Sequence, residues 1–68
     1  MKISARNQLS GTVQSVNEGA AIANVVVDVN GQRLVASITV EAARELGLKE
    51  GTEVTAIVKA SDVILATG

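Results

Sequence analysis

Two short polar segments, Ser4-Ala5-Arg6-Asn7-Gln8 and Lys59-Ala60-Ser61, stand near opposite ends of a chain that is otherwise largely aliphatic. Each sets a small hydroxyl residue close to a cation. Hydroxyls, backbone N–H groups and a guanidinium or ammonium are all hydrogen-bond donors, and charge-assisted bonds to an anion are the stronger kind. The chemistry these segments suit is the holding of an anion. Catalysis fits less well, because the chain contains no His and no Cys. Its acidic residues are scattered, with no pair spaced for acid–base work and no convergent oxygen set for a hard metal ion. The residues describe a binder and not an enzyme.

The 68 residues allow one domain, spanning 1–68. A core of that size is marginal, since a short chain buries a smaller share of its surface than a long one. Disulfides, a structural metal or oligomerisation are the usual remedies, and the lack of Cys and His leaves the third. A hydrophobic content of 47% and a mean hydropathy of +0.35 point the same way, because some of this apolar surface needs a second subunit to cover it. The alternative is a monomer with an unusually apolar surface.

With no Phe, Tyr or Trp, the core is built from Val, Ile, Leu and Ala, and its β-branched members favour strands. The same lack removes the aromatic platforms on which single-stranded nucleic acid stacks. Six basic against seven acidic residues give a net charge of −1, which is no footprint for a polyanion. Nucleic acid is therefore not the expected partner. No segment approaches the roughly 20 apolar residues of a membrane span and no leader pattern is visible, so the expected location is the cytoplasm.

Alternation of apolar and polar residues predicts a strand over 8–16, a turn at Asn17-Glu18-Gly19 and a second strand over 20–29. In that second strand Ala21, Ala23, Val25, Val27 and Val29 share one face. Asn30-Gly31 is the strongest local signal, because a two-residue type I′ turn needs positive φ at both positions. It joins a third strand over 32–38, and both faces of this hairpin carry apolar residues, one for the core and one for a partner. Thr39 can cap a short helix over 41–46, with Glu41 near the positive end of its dipole and Gly47 as the stop. Glu41 and Arg44, three apart, are spaced to pair weakly on it. A fourth strand over 53–59 and a fifth over 63–67 follow. The order predicts an all-β fold with a small α contribution: a five-stranded Greek-key barrel of the OB type, its helix between strands three and four.

The segments Ser4-Ala5-Arg6-Asn7-Gln8, Gly11-Thr12-Val13, Ile38-Thr39, Leu46-Gly47-Leu48, Gly51 and Val54-Thr55-Ala56-Ile57-Val58-Lys59-Ala60 resemble the molbindins (Mop), small molybdate-binding proteins. The resemblance covers nearly the whole chain. It implies an OB-type subunit assembled as a hexamer, a trimer of dimers, with oxyanions held at subunit interfaces. It implies reversible cytoplasmic binding of molybdate, and of tungstate of nearly the same size and shape, without turnover. The implied role is storage or buffering for molybdenum-cofactor enzymes. The implied oxyanion-binding residues are Ser4, Ala5, Arg6, Thr39, Lys59, Ala60 and Ser61. One departure stands out: several relatives carry Ser three residues after the Thr39 position, and this chain carries Ala42.

Each of these residues also has an ordinary structural use. Arg6 and Lys59 suit solvated charges at strand ends, Thr39 is a good N-cap without a ligand, and Ser61 can turn the chain. Asn7 and Gln8 are expected to tie backbone at a strand start or an interface and not to touch the ligand. Two further readings stay open. The stretch from Ile38 through Val54 also resembles swapped-hairpin DNA-binding transcription factors of the AbrB type, against which the net charge argues. The chain also fits a structural oligomerisation module whose polar ends only organise an interface.

Overall fold

The computed structural model describes residues 2–68. Four strands, β1 (Asn7–Glu18), β2 (Ile22–Val29), β3 (Gln32–Thr39) and β4 (Glu53–Val58), form one antiparallel sheet in the order β3-β2-β1-β4. The helix α1 (Val40–Glu45) lies between β3 and β4, and a single 3₁₀ turn, Ala60–Asp62, follows β4.

The β2–β3 hairpin turns at Asn30 (φ 51°) and Gly31 (φ 84°), the left-handed pair that a type I′ turn requires. Its register pairs Val25 with Ala36 and Val27 with Leu34 on one face, and Val26 with Val35 and Asp28 with Arg33 on the other. The first face is the core: Val13, Val25 and Val27 are buried, with Val16, Val29, Leu34, Ala36, Ile38, Leu48 and Val54 packed against them. The second face leaves Ile22 and Val35 each 48% exposed, in keeping with an apolar surface that lacks a partner within the subunit.

Helix α1 is defined by its caps. The Thr39 hydroxyl oxygen accepts from the Ala42 N–H at 3.0 Å. At the other end Gly47 (φ 65°) allows the Leu48 N–H to reach the Ala43 carbonyl at 3.1 Å and its own N–H to reach that of Arg44 at 3.0 Å, a Schellman closure. Ala43 is the helix's buried contact with the sheet.

Three expectations need correction. The turn expected at Asn17-Glu18-Gly19 comes later, since β1 runs to Glu18 and the Gly19 N–H bonds the Ile22 carbonyl at 2.8 Å. The β1–β2 register shifts between Val13 and Ser15, so Gln14 forms a bulge that returns Val16 to the core face opposite Val25. Arg44 does not pair with Glu41. Its Nε and a terminal nitrogen donate to the Glu18 carboxylate at 3.1 and 3.3 Å, because the guanidinium lies beside the end of β1. This two-point contact raises the Arg44 pKa, through the hydrogen bond first and the charge second.

The fifth strand is the largest difference. Residues 63–67 pair with no strand among the described residues, so the subunit shows four strands in an open sheet and not a closed five-stranded barrel. Val63 has extended backbone, yet its side chain is 47% exposed and those of Ile64 and Leu65 are 93% and 88% exposed. β-Branched alternation says only that a segment will pair well, and it carries no information on which chain supplies the partner.

Gly11 is required by close approach. A Cβ there would lie 2.6 Å from Val27 Cγ1 and 2.7 Å from the Asp28 carbonyl oxygen, and the latter is backbone that cannot move cheaply. Gly11→Ala is expected to destabilise the protein by about 1–3 kcal/mol, the usual range for overpacking, read as a lower denaturation midpoint at unchanged m-value.

Candidate oxyanion-binding site

The register of β1 against β4 assembles the site. Asn7 lies opposite Val58 in an antiparallel pair, so the residues that precede β1 and those that follow β4 leave the sheet side by side. The Asn7 side-chain amide fixes this junction by donating to the Val58 carbonyl at 3.1 Å. Gln8 holds the incoming chain by donating from its amide to the Ala5 carbonyl at 3.4 Å. Both residues thus tie backbone, as their types and positions suggest.

Ser4, Ala5, Arg6, Lys59, Ala60 and Ser61 line one concavity of about 560 Å³, together with Ile57 and Asp62. Six of the seven residues singled out in the sequence therefore meet, although 53 positions separate Arg6 from Lys59 in the chain. The lining offers two cations and two hydroxyls, all exposed, and the half-buried backbone of Ala5. A concavity around Thr12, Asp28 and Glu53 is lined by two carboxylates and no cation, and would repel an oxyanion.

Thr39 is the exception. It ends β3, the opposite edge of the sheet from β4, with β2 and β1 between. Its oxygen accepts the Ala42 N–H, which leaves the hydroxyl hydrogen free to donate elsewhere. The same bond occupies the backbone donor of Ala42, so this residue offers no free N–H where the resemblance implies a hydroxyl.

Two lining residues, Ile57 and Asp62, were not singled out in the sequence. For Ile57 the signal was present, since strand alternation puts it on the side of Lys59; Asp62 enters the lining at the end of the 3₁₀ turn Ala60–Asp62.

The site is open. Ser4, Arg6, Lys59 and Ser61 all stand exposed to solvent there. Donors exposed to bulk water bind weakly, and the same donors shielded from it bind strongly. Within the subunit, the donors of this concavity face bulk water.

The chain is a four-stranded antiparallel sheet with one short helix, whose terminal segments meet in a concavity lined by Ser4, Arg6, Lys59 and Ser61. The TOBE domain profile matches residues 3–65, and the chain belongs to that family, in its molbindin (Mop) group. It is 44% identical over 66 residues to molybdenum-pterin-binding protein 3 of Clostridium pasteurianum, covering 96% of this chain and 97% of that one. The solved structure of a molybdate-binding protein from Sporomusa ovata superposes with a TM-score of 0.94 at 42% identity, covering 98% of this chain and all of that one. The cytoplasmic molybdate-binding protein ModG, solved with molybdate bound, matches with a TM-score of 0.85 at 51% identity over 88% of this chain, which spans 43% of the ModG chain.

Proposed function

We propose that this chain binds molybdate, and tungstate with it, reversibly and without turnover, as a storage or buffering protein of the cytoplasm. The observation that carries the reading is the meeting of Ser4, Ala5, Arg6, Lys59, Ala60 and Ser61 in one concavity. A tetrahedral dianion presents four acceptor oxygens, and converging hydroxyl, backbone and ammonium donors match that demand. The relatives named for molybdate or for molybdenum-pterin support the choice of ligand, and the description of ModG as cytoplasmic supports the location. No helix among the described residues is long and apolar enough to cross a membrane.

The working form is a homo-hexamer, a trimer of dimers, of the single 1–68 module. Its sites lie at subunit interfaces, where Thr39 of one copy reaches the open concavity of another. Residues 63–67 supply the fifth strand of the OB-type barrel when they pair with a free strand edge in the assembly. Support comes from the exposed apolar side chains of this segment and from the open outer edges of β3 and β4.

Isothermal titration of the folded protein with molybdate, tungstate and sulfate tests the reading, with native mass spectrometry counting subunits and bound anions. Saturable heat with molybdate and tungstate, and a hexamer that gains several oxyanion masses, are expected. A hexamer that gains none would favour the structural module. Melting must also rise with molybdate, because a ligand held only by the native state raises apparent stability. The DNA-binding alternative is not favoured: the stretch it rests on lies inside the TOBE match, and the chain carries no net positive charge.

A further inference from the structure

The concavity that holds two cations also holds one carboxylate. Asp62 lines it beside Arg6 and Lys59. The Asp62 N–H donates to the Lys59 carbonyl at 2.9 Å, which closes the 3₁₀ turn Ala60–Asp62, and both residues line the hollow. Among the described residues the ion pair formed is Arg44–Glu18, so Asp62 neutralises neither cation by direct contact. Its side chain accepts no hydrogen bond there either, and it faces water in the subunit. A free carboxylate in an anion-receiving hollow has no structural task that these contacts explain.

We propose that Asp62 is a specificity-determining residue of this site, one that weakens the hold on fully deprotonated oxyanions relative to protonated ones. The inference rests on the oxyanion-binding reading above. Molybdate, tungstate and sulfate are dianions with acceptor oxygens only. Against a carboxylate, which also has only acceptors, they meet repulsion with no hydrogen bond to offset it. Hydrogen phosphate is different, because its remaining O–H can donate to the carboxylate. Asp62 thus lowers the net attraction of Arg6 and Lys59 for a dianion, keeps the bound anion exchangeable, and narrows the margin over hydrogen phosphate. In a protein that must give its cargo back, a brake on affinity is useful.

The test compares the assembled wild-type protein with Asp62→Asn and Asp62→Glu by isothermal titration with sodium molybdate and with phosphate, at two salt concentrations. Asp62→Asn is expected to bind molybdate about threefold to tenfold more tightly, the scale of removing one like charge across a partly hydrated gap. Its molybdate affinity should fall more steeply with salt, and its preference for molybdate over phosphate should widen. Asp62→Glu, which keeps the charge, should stay near the wild type. Unchanged or weaker molybdate binding by Asp62→Asn, in a protein that melts and assembles as the wild type does, overturns the proposal and leaves the oxyanion reading standing. Absence of molybdate binding by all three proteins sinks the oxyanion reading, and the role of Asp62 with it.

Discussion

Lys59→Ala is expected to lower molybdate affinity by about tenfold to a hundredfold, the usual effect of deleting a charge-assisted hydrogen bond. The ligand-free protein should melt within a degree or two of the wild type. The two expectations come from the same placement. Lys59 follows the last residue of β4, is exposed, and takes part in no side-chain hydrogen bond or ion pair among the described residues. Its removal therefore takes almost nothing from the fold, since exposed substitutions away from such contacts usually stay within about 0.5 kcal/mol. It takes from the site an ammonium whose donors the neighbouring Arg6 guanidinium, planar and fixed in its fork, does not reproduce. Arg6→Ala should cost less, since the backbone N–H at that position remains a donor. Lys59→Arg should recover only part of the loss, because a planar fork does not present its donors as a compact ammonium does. Titration calorimetry beside thermal melting separates the two effects. Retained affinity in Lys59→Ala would mean that the anion sits elsewhere.

What the sequence disclosed and what it concealed divide along a physical line. Features governed by near neighbours were legible. Asn30-Gly31 announces its turn because few other pairs tolerate positive φ twice. Thr39 and Gly47 bracket the helix through bonds that span three to five residues. The inward faces of β2, β3 and β4 follow from alternation alone. The Gln14 bulge was hidden, because no glycine marks it and its purpose appears only when β1 must match β2 on one side and β4 on the other. For the candidate site, hydroxyl and cation types suggested an anion, the family resemblance supplied the particular residues, Ser4 and Thr39 among them, and the Asn7–Val58 pairing explains why the two ends meet. Nothing in the type or spacing of Asp62 marks it for the hollow, and its place in the lining comes from the 3₁₀ turn that follows β4. The separation of Thr39 from the other six was hidden because local signals do not reveal the strand order β3-β2-β1-β4, nor, under the proposed assembly, distinguish a residue's own subunit from its neighbour's.

That indistinguishability is sharpest at residues 63–67, where the second large effect is expected. The double substitution Ile64→Asp, Leu65→Asp should abolish the proposed hexamer in native mass spectrometry and leave smaller species. These side chains are 93% and 88% exposed, so the subunit's own packing loses little by the change. In the assembly each buried aliphatic side chain is worth about 1.5–3 kcal/mol, and an unpaired carboxylate in its place adds a desolvation cost. Both effects recur in every subunit, so the equilibrium should move decisively. Two further changes follow from the same cause. Molybdate affinity should collapse although no lining residue has been altered, because the concavity loses the wall that excludes water. The melting temperature, which for an assembly rises with protein concentration, should become independent of it. A double variant that remained hexameric would move the interface to the outer face of the β2–β3 hairpin, where Ile22 and Val35 offer apolar surface. A variant that fell apart yet bound molybdate undiminished would show that one subunit completes the site alone, and Thr39, at the far edge of the sheet, would then have no part in it.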